Sequence, residues 1–163
     1  MGSIETTFAS LMAELDAPML IVTASAVGEQ AGCLVGFATQ TSIHPPRFLA
    51  CISRANHTFR IASAAETLLV HFVPEDAADL AELFGGSTGD TVDKFAEVEW
   101  HRGPGGAPQL ARLDTWFAGR VVDRVGLGDH VGFLLQPIQG AAKRSASPMR
   151  FHRARRIAPG HPA

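Results

Sequence analysis

Apolar residues at Ile4, Phe8, Leu11, Met12 and Leu15 follow the i, i+4, i+7, i+8, i+11 spacing of one helix face, which predicts an amphipathic helix over residues 3–15 with Ser3 at its N-cap. Beyond Asp16 and Pro18 the pattern shortens. Residues 19–25 (MLIVTAS) are rich in β-formers, 27–32 (VGEQAG) read as a turn, and 33–43 (CLVGFATQTSI) read as one long strand. His44-Pro45-Pro46 ends it, because proline has no N–H to give to a ladder. The run 47–53 (RFLACIS) predicts a fully buried strand, 56–66 a helix capped by Asn56, and 67–73 (TLLVHFV) another strand. Proline and acids open a helix over 74–84, which Gly85-Gly86 close. Residues 85–112 read as loop. Two long strands, 113–125 and 130–140, flank the tight turn Gly126–Asp129, and 148–154 reads as a last short strand.

Six or more strands, three short helices and no regular βαβ alternation predict a mainly β chain folded as a small antiparallel barrel, with helices capping its openings. The length of 163 residues fits one domain, expected over 1–154, followed by a flexible basic tail over 155–163. Apolar residues at 46% and charged residues at 18% exclude general disorder. No apolar run approaches the ~18 residues of a membrane-spanning helix. The first residues carry acids where a signal peptide is basic, so a cytoplasmic location away from membranes is expected. Cys33 and Cys51 are expected to be reduced core thiols, and no C-x₂-C or H-x₃-H spacing offers a metal site.

Charge changes the picture at one end. Residues 143–163 hold Lys143, Arg144, Arg150, Arg153, Arg155 and Arg156 and no acid, a local +6 that leaves the rest of the chain at −8 within a net −2. An acidic body with a single tail aromatic, Phe151, does not look like a nucleic-acid surface. A solubilising tail and a phosphate-binding role both remain open.

Two formal motifs lack their structural context. Gly85-Gly86-Ser87-Thr88-Gly89 fits G-x-S-x-G, but it leaves a predicted helix and enters a loop, the reverse of a nucleophile elbow. Gly126-Leu127-Gly128 opens a strand rather than a helix, so no Rossmann dinucleotide fold is expected. The informative stretch is residues 32–58. Its first half carries glycines at 32 and 36 and hydroxyls on Thr39, Thr41 and Ser42; absent side chains let a flat ligand lie against backbone. Its second half, Ser53-Arg54-Ala55-Asn56-His57-Thr58, opens a helix whose N–H groups, with Arg54, suit a phosphate monoester. A planar ring on the strand with its phosphate at the helix describes flavin mononucleotide. An ordinary strand followed by a capped helix is the other reading.

The same stretch resembles the signature of the flavin reductase-like family, the FMN-binding split barrels that include reductase components of two-component monooxygenases. Gly32 to Pro46 follows the family's G-M-T-A-N-S-F-T-S-V-S-x-x-P-P, closing on Ser42-Ile43-His44-Pro45-Pro46. Leu69–Val73 is similar to its central strand, Leu80–Phe84 to its L-A-x-x-F helix end, Asp93-Lys94-Phe95 to its D-K/R-F step and Gly128-Asp129-His130 to its G-D-H. The likeness covers roughly residues 14–153.

This resemblance implies an antiparallel Greek-key split barrel that binds FMN (or FAD) and reduces it with NADH or NADPH. It implies a homodimer, and a separate flavin-dependent monooxygenase as partner. The ring would be addressed by backbone of Val35, Gly36, Phe37 and Ala38, with Thr39 and Ser42 adjoining. Ser53, Arg54, Asn56 and Thr58 would hold the phosphate, His130 would orient the nicotinamide, and Lys94 and Phe95 would edge the site from a partner subunit. Alternatives are a non-catalytic FMN carrier and a flavin enzyme acting directly on an organic substrate. The chain departs from the pattern at Leu34, Gly36, Gln40 and His71, which removes two polar contacts to the ring. Such a change suits a reductase that treats flavin as a diffusing substrate, or a member that has lost tight flavin binding. A buried His71 would be a hydrogen-bonded core residue. Hydride transfer to flavin is the cofactor's own chemistry, which fits the absence of a nucleophile–base set.

Overall fold

Val27 and Gly28 both adopt positive φ (47° and 78°), the geometry of a two-residue hairpin turn, and they pair Ala26 with Glu29. The computed structural model describes residues 2–143 and 147–160. In chain order its helices are α1 (Ile4–Ala13), α2 (His57–Ala64), α3 (Ala78–Gly86) and α4 (Phe151–Ala154). Its strands are β1 (Leu20–Ala26), β2 (Glu29–Val35), β3 (Ala38–Ser42), β4 (Arg47–Ser53), β5 (Thr67–Phe72), β6 (Trp100–Arg102), β7 (Pro108–Leu110), β8 (Trp116–Gly126) and β9 (His130–Ala141). The turn expected over 27–32 therefore shrinks to two residues.

Seven strands form one antiparallel sheet in the order β2-β1-β5-β8-β9-β4-β3. Its two edge strands are consecutive in the chain and separated only by Gly36 and Phe37. Laid flat, seven strands would hold those edges about 29 Å apart at the usual strand spacing. The sheet must therefore curl until its edges meet. No β2–β3 pairing joins them among the described residues, and the Cys51 N–H to Phe37 carbonyl bond (2.9 Å) ties the connecting residue to β4, next to the Ala38–Ala50 pair. This is a split barrel. The expected strand over 33–43 is two strands broken at Gly36, because its halves serve opposite edges.

The inner face buries Val22, Ala24, Cys33, Val35, Ala50, Ile52, Leu68, Val70, Phe133 and Leu135, and α2 closes one end with Ile61 and Ala62. A second core lies outside β1, where Ile21 packs with Leu80, Ala81 and Phe84 of α3 and with Leu110 and Met149. β1 is covered on both faces, which explains its unbroken apolar run.

Residues 85–112 are less irregular than expected, for they contain the β6–β7 hairpin. Buried polar groups pin it to the barrel. The Thr23 hydroxyl donates to the Pro108 carbonyl (2.6 Å). His71 lies 3.1 Å from the Ile21 carbonyl through Nδ1 and accepts the Leu110 N–H at Nε2 (3.2 Å). Burial pushes this imidazole down to about 4, so it is neutral, a donor at one nitrogen and an acceptor at the other. Lys94 is likewise buried, donating to the carbonyls of Gly32 (2.9 Å) and Phe84 (3.1 Å). Desolvation lowers its pKa.

The strand expected over 148–154 is instead two isolated bridges, Pro74↔Pro148 and Pro18↔Arg150, followed by the single turn of α4. Three prolines among the four bridge partners remove the donors that a ladder needs. The tail expected over 155–163 is held as far as it is described. Ile157 packs against the second core, and the Gly160 N–H reaches the Gly85 carbonyl (3.3 Å); residues 161–163 lie outside the described residues. α1 forms where expected, with the Ser3 hydroxyl accepting the Thr6 N–H, yet Ile4, Phe8, Leu11 and Met12 are all exposed. Among the described residues no helix is long and apolar enough to cross a membrane.

Candidate functional site

Where the barrel edges meet, a cleft of about 190 Å³ opens. Val35, Gly36 and Phe37 line it from the seam, Ser53 and Asn56 from the loop before α2, and His130 from the start of β9. Strand pairing sets the last two elements face to face, because Ser53 is directly opposite His130 in the β4–β9 register. Met19, Leu34, Cys51, Ile52 and Phe151 complete an apolar wall. Gly36 keeps the floor bare, since a Cβ there would stand 3.3 Å from the Met19 methyl.

The loop 53–56 is rigid. The Ser53 hydroxyl oxygen accepts the Ala55 N–H (3.2 Å), the Asn56 N–H reaches the Ser53 carbonyl (3.0 Å), and the Asn56 side chain caps α2 by accepting the Thr58 N–H (2.9 Å). Arg54 straps the loop to the β8–β9 turn, its N–H bound to the Asp129 carbonyl (2.9 Å) and its Nε to the Gly128 carbonyl (3.0 Å). The expectation of open N–H groups at this helix start is therefore corrected for 54, 55, 56 and 58. Side-chain chemistry is also at hand for an anion. The Ser53 hydroxyl, an acceptor toward Ala55, still has its proton to donate, and the Arg54 terminal nitrogens make no hydrogen bond among the described residues.

His130 is fixed by its neighbours. Its Nδ1 lies 2.7 Å from the Asp129 carboxylate, and its ring centroid lies 5.0 Å from that of Phe37, itself 61% exposed. A carboxylate can only accept, so Nδ1 carries the proton and Nε2 of the neutral ring is an acceptor. The same bond holds the Asp129 carboxyl below its ordinary range.

The other sequence-derived residues stand elsewhere. Ala38 begins β3 and packs against the inner core; Thr39 is exposed, its hydroxyl donating to the Gln40 carbonyl (3.2 Å). Ser42 pairs with Arg47 at the far end of β3. Thr58 is fully buried, with its hydroxyl on the Cys33 thiol. Lys94 points into its own subunit, as described above, rather than outward to another. Burial pushes the Cys33 thiol up to about 11 and raises that of Cys51, so both stay protonated. Met19 and Phe151 had no local signal; only the isolation of Phe151 within a basic run marked it. Larger clefts of about 450 and 570 Å³ lie beside residues 89–95 and beside α3; the first is lined by Gly32, Gly89, Thr91 and by His57, whose Nδ1 lies 2.7 Å from the Asp90 carboxylate, and the second has no histidine. Among the described residues no cluster of three potential metal ligands forms.

Residues 12–159 match the family model described as a flavin reductase like domain. The chain belongs to this family. Among curated proteins it is 32% identical over 114 residues to the stachydrine N-demethylase reductase subunit Stc3 of Rhizobium meliloti, a match covering 68% of this chain and 48% of that protein. It is 33% identical over 119 residues to the FMN reductase (NADH) RutF of Methylorubrum extorquens, covering 73% of this chain and 58% of that protein. The chain thus spans about half the length of these relatives. Two solved structures share the fold. A flavin reductase domain protein from Arthrobacter superposes with a TM-score of 0.78 at 22% identity over 89% of each chain. Component B of a nitrilotriacetate monooxygenase from Mycobacterium thermoresistibile superposes with a TM-score of 0.77 at 20% identity, over 88% of this chain and 79% of that one. These family members are split barrels of mainly β structure, as this chain is.

Proposed function

We propose that the protein is an NADH-dependent reductase of free FMN that hands reduced flavin to a separate oxygenase. The carrying observation is the convergence of bare backbone at Gly36, the Ser53 hydroxyl and His130 on one cleft. For a flavin phosphate ester the cleft offers the Ser53 hydroxyl proton, and Arg54, outside the cleft lining with its guanidinium carbon 5.9 Å from the Phe59 ring centroid, has terminal nitrogens without a hydrogen bond among the described residues. Leu34 and Met19 give the ring an apolar bed. The bound flavin supplies the hydride-accepting chemistry, while the protein supplies binding and orientation. His130, with its proton turned to Asp129, offers an acceptor at Nε2 that complements the carboxamide N–H of a nicotinamide. Phe37 shields the approach from water.

The relatives' names support this choice of substrates, in that RutF is an FMN reductase using NADH and the nitrilotriacetate protein is a monooxygenase component. NADPH and FAD are the substitutes to be tested. A homodimer completes the reading, supported by the exposed Phe37, Leu127 and Ile138 (61%, 53% and 52%).

The test is oxidation of NADH or NADPH by the purified protein in air, with and without FMN or FAD. Oxidation that requires both protein and added flavin is expected, fastest with NADH and FMN. Tight flavin binding without pyridine-nucleotide oxidation would convert the reading to a carrier. Two variants assign roles. Arg54→Ala should weaken FMN binding about tenfold, with little change in turnover at saturating flavin, because one exposed charge-assisted contact is lost. His130→Ala should raise the KM for NADH several-fold while the Kd for FMN stays unchanged; equal effects on both would remove it from the nicotinamide side.

A further inference from the structure

The basic C-terminal run is not a free tail. The Met19 N–H binds the Met149 carbonyl (2.8 Å), the Phe151 N–H binds the Ala17 carbonyl (2.8 Å), and the Arg155 N–H closes α4 on the Phe151 carbonyl (2.8 Å). Its cations have distinct placements. Arg150 reaches the Asp16 carbonyl (3.4 Å) and Arg153 the Glu75 carbonyl (2.9 Å), so both help to seat the segment. Arg156 lines the separate cleft beside α3, together with Glu82. Arg155 alone lines a small cleft of about 110 Å³ that adjoins the flavin cleft through Met19, Leu34 and Phe151. It is exposed, and among the described residues its guanidinium has no hydrogen bond and no ion pair.

We propose that Arg155 binds the diphosphate of a dinucleotide whose redox ring occupies the adjoining cleft, so that the segment 149–157 adds affinity for a dinucleotide that FMN does not draw on. The inference rests on the flavin reductase reading above and extends it. A guanidinium presents paired N–H donors that match the two charged oxygens of a diphosphate, and the neighbouring arginines raise the local potential for an anion. FMN has no such diphosphate, and the reading above assigns its phosphate ester to Ser53 and Arg54 rather than to Arg155. The shared chemistry is that of NADH, NADPH and FAD.

Binding of NADH, FAD, FMN and ADP-ribose is measured by calorimetry on the wild type, Arg155→Ala, Arg155→Lys and Arg156→Ala. Arg155→Ala should weaken at least one dinucleotide about tenfold, leave FMN within about twofold, and leave the melting temperature unchanged. Arg155→Lys should recover part of the loss, and the loss should shrink in high salt. Loss for NADH and ADP-ribose alone identifies the pyridine dinucleotide as the ligand, and loss for FAD alone identifies the flavin dinucleotide. Unchanged binding throughout, an equal fall for FMN, or an equal effect of Arg156→Ala overturns the proposal. A wild type that binds ADP-ribose through Arg155 but neither flavin would refute the reductase reading while sustaining this one.

Discussion

Replacing His71 with leucine should lower the unfolding free energy by about 2–4 kcal/mol, because the Leu110 N–H and the Ile21 carbonyl lose their partner in a site closed to water. At this chain length the melting temperature should fall by about 10 °C. A fall below about 3 °C would mean that these groups find other partners. The imidazole also sets an acid limit. Its pKa is about 4 when folded and near 6.5 when unfolded, so between those values the unfolded chain takes up a proton that the native one refuses. Native stability from this group is complete above about 6.5 and is lost as pH falls toward 4, by about 1.4 kcal/mol per unit within that window. The leucine variant should lack this part of the slope. A wild type and variant with parallel profiles from pH 7 to 4 would place the charge elsewhere.

Gly36→Val is expected to abolish most flavin affinity while sparing the fold. A Cβ at this position meets only the flexible end of Met19, at 3.3–3.4 Å, so the backbone need not move. The added methyls would instead project into a cleft of about 190 Å³. Crowding a fitted ligand costs on the order of 1–3 kcal/mol, which is about 10–100-fold in Kd. Quenching of FMN fluorescence on titration measures this directly, alongside a melting curve. Unchanged affinity would show that the ring does not lie at the seam. A large loss of melting temperature would show that Gly36 serves the barrel rather than the site.

Much of this architecture is legible in the sequence, and its failures have physical causes. β4, β5, α2 and the β8–β9 pair follow from continuous apolar runs, an asparagine cap and a glycine turn, which are local signals. The break at Gly36 is not local. Residues 33–43 have β-forming composition throughout, and only the pairing of each half with a different edge reveals two strands. The β6–β7 hairpin hides in a proline- and glycine-rich run because buried groups of the barrel, Thr23 and His71, supply part of its stability. His71 itself was legible as a core histidine, while its two partners were not. At the site, the glycine at 36 and the polar loop 53–58 stand out from composition, whereas residues 35–38 as a set come only from the family resemblance. Met19 and Phe151 were not, since they meet through backbone bonds between segments some 130 positions apart, Ala17 with Phe151 and Met19 with Met149. Thr58 shows the converse. Its place in a polar loop pointed to a ligand, but the helical turn carries its hydroxyl inward to Cys33.

The most direct test of the central claim is an anaerobic single-turnover experiment. Oxidised FMN is mixed with protein and NADH, and loss of the flavin's visible absorbance is followed against controls lacking protein and with the Gly36→Val variant. Rapid bleaching is expected that depends on the wild-type protein and slows sharply in the variant under limiting FMN. Bleaching no faster than the protein-free control, at FMN concentrations shown to saturate binding, would contradict it.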